Sequence, residues 1–166
     1  MDGVADTDDV IERILTTYDT ITVVGASANE EKSAHGVPRV MQAFGWRIIP
    51  VNPYHETILG ERAYPALADV PEQVGFVDVF RPARQAPDIA RQAVAAGATV
   101  LWLQLGIRSA EARQIAESAG LLYVEDRCVA VERARRALHA PDALSAPETQ
   151  RQPEAEGQPE AQGQPT

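Results

Sequence analysis

Thr20-Ile21-Thr22-Val23-Val24-Gly25-Ala26 is β-branched at every position up to Gly25 and carries no charge on either face. Such a run, closed by a glycine turn, predicts a strand buried within a parallel sheet. Upstream, Thr7 precedes Asp8 and Asp9, the pattern of a capping residue followed by acids in a first helical turn. Val10, Ile11, Ile14, Leu15 and Tyr18 then share one helical face.

Downstream the same alternation continues. A polar loop, residues 27–32, leads to a helix that opens near Ser33 to His35, holds Pro38 in its opening turns and ends at Gly45. Arg47 to Val51 forms a second strand, stopped by Asn52 and Pro53, and a long loop with Gly60, Pro65 and Pro71 precedes a third strand, Phe76 to Phe80. Pro87 and Gly97 bracket a helix, and Thr99 to Leu103 is the fourth strand. Ser109 caps a further helix terminated by Gly120, Leu121 to Val124 is the fifth strand, and a last helix runs from about Arg127 to His139.

Strands alternating with helices require right-handed crossovers, which place helices on both faces of a parallel sheet. The expected fold is therefore α/β: a Rossmann-like, doubly wound, five-stranded parallel sheet. In such sheets ligands bind beyond the carboxyl ends of the strands, so the residues following each strand carry the information about function.

The chain has 166 residues, enough for one domain with a proper core, and its expected extent is residues 1–140. From Pro141 proline recurs every six residues, at Pro147, Pro153, Pro159 and Pro165, among Glu, Gln and Gly. Residues 141–166 offer too little apolar surface to offset the entropy of ordering and are expected to form a disordered tail. Of the net charge of −9, this tail carries −4, five carboxylates against Arg151. The remaining charge is still negative, which argues against a nucleic-acid partner, since phosphate contacts need a clustered basic surface. No apolar run approaches the ~18 residues that span a bilayer. The single cysteine, Cys128, forms no internal disulfide framework, and no secretory leader is evident, so a reducing cytoplasm is the expected location.

Each strand end supplies specific candidates. Gly25, Ala26 and Ser27 form a glycine turn that feeds a helix N-terminus, suited equally to phosphate binding and to a structural turn. The G-x-G-x-x-G dinucleotide fingerprint fails because Ser27 stands where a second glycine is required, and the second strand ends in Val51-Asn52-Pro53 without the acid that holds a ribose. Lys32, His35 and His55 are either charge partners for a phosphorylated ribose or solvated polar residues. Phe80 and Arg81 suit an adenine face and a phosphate, although Phe80 also suits the core. Gln104 can hydrogen-bond an amide and Gly106 lets a ligand chain approach the backbone, whereas Trp102 is assigned to packing. Arg127 and Cys128 follow the last strand, with the thiol read either as inert or as reactive at a helix N-terminus.

Taken together, VVGAS (23–27), VNPYHETILGERAYPAL (51–67), VDVFRPA (77–83), LWLQLGI (101–107) and AGLLYVEDRCVAVE (119–132) resemble the stand-alone CoA-binding domain family. That family is similar to the nucleotide-binding N-terminal domain of the succinyl-CoA synthetase alpha subunit, and the resemblance extends over roughly residues 10–138. It implies coenzyme A as the cofactor. Gly25, Ala26, Ser27 and Ser33 would face the phosphates, and Asn52 and Pro53 would flank the adenosine. Phe80, Arg81, Gln104 and Gly106 would line the nucleotide and pantetheine path, with Arg127 and Cys128 at its border. Family members often carry lysine after the Asn-Pro, where this chain has Tyr54 and His55.

The ligase resembled performs its chemistry with a second domain bearing a phosphorylated histidine, and the sequence shows no counterpart. Nor does it show a Ser/His/Asp set, a metal cluster or a paired-carboxylate site. The expectation is a non-catalytic module that binds CoA or acyl-CoA, with a protein partner or self-association left open. The alternatives are a subunit of an acyl-CoA ligase-type enzyme that needs a separate catalytic chain, an NAD-binding oxidoreductase, and a redox sensor acting through Cys128.

Overall fold

The computed structural model describes residues 5–141, so all but the first residue of the expected tail lies outside the described residues. The chain runs through α1 (Thr7–Thr17), β1 (Thr20–Val24), α2 (Ser33–Ala43), β2 (Arg47–Val51), β3 (Thr57–Ile58), β4 (Glu61–Arg62) and β5 (Phe76–Val79). It continues through α3 (Ala86–Ala95), β6 (Val100–Leu103), α4 (Ala110–Ser118), β7 (Leu122–Val124) and α5 (Val129–Arg135).

The main sheet has five parallel strands in the order β2-β1-β5-β6-β7. Side chains alternate between two cores, as the period of a strand dictates. Ile21, Val23, Phe76, Val100 and Trp102 point toward α1, α2 and α5, where they meet Ile11, Ile14, Leu15, Met41 and Val129. Val24, Val77, Val79, Leu101 and Leu103 point the other way, onto Ile89, Ala90 and Ala93 of α3 and Ala112 and Ala116 of α4. The doubly wound fold expected from sequence is the fold observed. Trp102 is fully buried, and its indole Nε1 donates to the Arg127 carbonyl at 2.8 Å, so it packs as anticipated.

Several boundaries differ from the sequence reading. Asp6, not Thr7, caps α1, because its carboxylate accepts the Asp8 N–H and draws Thr7 into the first turn. The strands β1 and β5 stop at Val24 and Val79, short of Ala26 and Phe80. The last helix covers Val129–Arg135 only, and Ala137 beyond it adopts a left-handed φ of 49°. The long loop after β2 contains an unforeseen hairpin, β3-β4, turned by Leu59 (φ 54°) and Gly60 (φ 74°).

Pro38 lies inside α2, and its missing N–H leaves the Ala34 carbonyl without its helical donor. That carbonyl accepts the Ser27 N–H instead, at 3.1 Å. The turn after β1 is thereby tied to the helix that follows it.

Candidate functional site

Strand order reverses between β1 and β5, and the crevice outside their carboxyl ends is where a ligand is expected in this topology. Two adjoining cavities occupy that crevice. The first, of about 860 Å³, is lined by the turn after β1 (Gly25, Ala26, Ser27), by Asn52 to His55 after β2, by Phe80 and Arg81 after β5, and by Arg84, Gln85 and Asp88 leading into α3. The second, of about 560 Å³, lies between α2 and the ends of β5 and β6, with Ser33, Val37, Pro82, Gln104, Leu105, Ile107 and Cys128 in its walls. Lys32, Ala34, Phe80 and Arg81 line both.

The turn is built from backbone bonds. Gly25 N–H donates to the Val51 carbonyl at 3.1 Å, and Asn52 Nδ2 donates to the Ala26 carbonyl at 2.8 Å while its Oδ1 accepts the Tyr54 N–H at 2.7 Å. Asn52 therefore braces the β1 and β2 loops against each other. His35 is buried, with Nδ1 2.8 Å from the Ser27 carbonyl, which makes it a prop for the turn. Ser27 Oγ accepts the Asn29 N–H.

Among the described residues, the first two N–H groups of the eleven-residue α2, those of Ser33 and Ala34, have no hydrogen-bond acceptor. Ala34 lines both cavities with Lys32, Ser33 lines the second, and Arg81 and Arg84 add positive charge around the first. Bare N–H groups at a helix N-terminus, a lysine and two guanidiniums form a donor set suited to a phosphorylated ligand.

Beneath the second cavity lies a buried polar pair. Gln104 Nε2 donates to Asp78 Oδ1 at 2.7 Å, and Asp78 is 1% exposed in the middle of β5. Burial pushes the Asp78 carboxyl up to about 8, against the opposing pull of the Gln104 hydrogen bond, so it is mostly protonated at neutral pH.

The structure thus brings Gly25, Ala26, Ser27, Ser33, Asn52, Pro53, Phe80, Arg81, Gln104 and Cys128 around one crevice. Gly106 and Arg127 lie outside the lining of both cavities. The Gly106 N–H is bonded to Asp126 Oδ1 at 2.7 Å, and that bond, together with Arg108, holds the Asp126 carboxyl below the usual carboxylate range. Cys128 is half-buried at the N-cap of α5. Arg84, Asp88, Val37, Leu105 and Ile107 were not singled out in the sequence. Arg84 carried a signal, being three residues past Arg81 at the same sheet edge.

Residues 19–134 match the family model described as a CoA binding domain. This chain belongs to that CoA-binding domain family. Among its relatives, the uncharacterised protein YneT of Bacillus subtilis is 35% identical over 124 residues, covering 75% of this chain and 92% of YneT. The ADP-forming acetate–CoA ligase I of Archaeoglobus fulgidus is 28% identical over 131 residues, covering 72% of this chain but only 19% of the ligase. A solved structure of a hypothetical protein from Pyrococcus horikoshii superposes with a TM-score of 0.75 at 37% identity, covering 79% of this chain and 92% of that one. The CoA-binding domain is therefore found both nearly alone and as a small part of a larger ligase.

Proposed function

We propose that this protein binds coenzyme A or an acyl-CoA in the two-cavity crevice and acts as a non-catalytic binding or regulatory module. The observation that carries the reading is the unbonded N–H pair of Ser33 and Ala34, set beside Lys32, which lines both cavities with Ala34. A pyrophosphate placed there leaves the adenosine in the first cavity against Asn52 and Pro53. The pantetheine arm passes Phe80 and Arg81 toward Gln104 and Cys128. Tyr54, 88% exposed, occupies the position where the resemblance expects lysine, so Arg84 and His55 are the groups left for the 3′-phosphate. Among the described residues no helix is long and apolar enough to cross a membrane.

Two other readings predict different outcomes. As the CoA-binding part of a ligase-type assembly, suggested by the acetate–CoA ligase relative, the chain would co-purify with a catalytic partner and form thioester only in its presence. As an NAD-binding protein it would want an acid at the end of β2, where Asn52 stands. Thermal unfolding of the full chain with CoA, acetyl-CoA and NAD(H) separates the CoA reading from the NAD reading. A ligand at one hundred times its Kd adds about 2.7 kcal/mol to native stability. A shift with NAD(H) and none with CoA or acetyl-CoA would overturn the proposal.

A further inference from the structure

Resting on that reading, we propose that the second cavity is an acyl-chain subsite, so that the preferred ligand is an acyl-CoA with a short apolar acyl group rather than free CoA. Of the cationic side chains of the crevice, Arg84 lines the first cavity alone, and Lys32 and Arg81 line both where they join. Beyond them Val37, Phe80, Pro82, Leu105 and Ile107 make up most of the second cavity's wall, with Ser33, Gln104 and Cys128 as its uncharged polar members. The crevice therefore runs from positive to apolar, complementary to a molecule with an anionic head and an apolar tail.

Gln104 is the polar group deepest in this wall, at 4% exposure, and one of its two amide N–H groups is engaged by Asp78. Its free amide oxygen can accept a pantetheine N–H, and its second N–H is left to donate to a carbonyl of the arm. Asp78, mostly neutral, adds no full charge beneath the cavity at neutral pH. The chain end is thus met by apolar walls with no anionic group among the residues that line them. At the lip, Leu105 is 70% exposed, one of few large apolar side chains left to solvent among the described residues. An acyl group seated in the cavity would cover its inner side, and the volume of about 560 Å³ leaves room for a chain beyond the cysteamine end.

The test is calorimetric titration of the full chain with CoA, acetyl-, butyryl- and hexanoyl-CoA. Burying each added methylene strengthens binding about fourfold until the cavity is full. In Leu105→Ser and Val37→Phe the affinities should lose this dependence on chain length, the first by removing an apolar wall and the second by filling the space. Circular dichroism melting verifies that each variant folds, and Leu105, being exposed, is the safer of the two. Equal affinity for all four ligands overturns the acyl subsite while leaving CoA binding intact. An unchanged chain-length slope in both variants overturns its location in this cavity. Failure of all four ligands to bind overturns the underlying CoA reading instead.

Discussion

Gly25 and Arg81 are packed so closely that a Cβ on the glycine would lie 2.6 Å from Arg81 Cδ and 2.9 Å from the Phe80 carbonyl oxygen. Gly25 also holds a φ of +86°, which L side chains rarely adopt. Both constraints fall on the turn that floors the first cavity. Gly25→Ala should lower stability by about 2 kcal/mol or more, since the left-handed backbone alone costs roughly 1–2 kcal/mol. Urea unfolding measures the loss. Because Arg81 must also move, CoA-induced stabilisation should shrink beyond what the altered baseline explains, and a full CoA shift in this variant would count against Arg81 as a ligand contact.

Asp78 gives the protein a specific pH dependence. The native carboxyl holds its proton to about pH 8, whereas the unfolded chain releases it near its ordinary value of 3.8. Between those values the native state binds the extra proton, so this group's stabilising contribution, full below about pH 4, declines as pH rises and levels off above about 8. The slope reaches about 1.4 kcal/mol per pH unit. Asp78→Asn imitates the protonated acid and still accepts from Gln104 Nε2. Its stability relative to the native sequence should be near zero difference at pH 4 and increasingly favourable toward pH 8. Parallel stability curves for the two proteins across that range would refute it.

Lys32 faces solvent and both cavities, so its removal tests the site with little risk to the fold. Lys32→Ala should weaken CoA binding about tenfold, the value of one charge-assisted contact of 1.4 kcal/mol. The dependence of affinity on salt should flatten as well. An unaltered Kd in low-salt titration would place the phosphates elsewhere.

Tyr54 offers the converse experiment. Tyr54→Lys introduces a cation beside His55 at the rim of the first cavity. An exposed ion pair contributes up to about 1 kcal/mol, so affinity for CoA should rise up to about fivefold. Dephospho-CoA, which lacks the 3′-phosphate, should not share the gain. An equal rise for both ligands would show that the lysine meets the pyrophosphate or merely the overall charge.

The sheet was readable in the sequence because its strands are short runs that bury both faces, as the full burial of Phe76–Val79 and Val100–Leu103 shows. The hairpin β3-β4 was not, since Leu59-Gly60 lacks the Asn-Gly or Asp-Gly signature even though both residues take positive φ. The strand-end residues Gly25, Asn52, Phe80 and Gln104 come together at one crevice because a parallel sheet delivers all its carboxyl ends to one edge. Arg84 and Val37 reach the crevice on crossovers and not at strand ends, and Leu105, although it follows β6 directly, is a leucine with no polar group to mark it as a site residue. For Gly106 the permissive backbone and the LWLQLGI motif are legible in the sequence, whereas the commitment of its N–H to Asp126 is visible only in the structure.

Replacing a helical proline with alanine is a routine first step in raising thermostability. At Pro38 it would supply a second donor to the Ala34 carbonyl, which already moors the Ser27 N–H. The two would then compete for one acceptor, and whatever rigidity α2 gained would be set against looser anchorage of the loop that receives the ligand. Directed evolution for heat tolerance alone would be expected to change Pro38 readily, whereas selection for ligand retention would keep it.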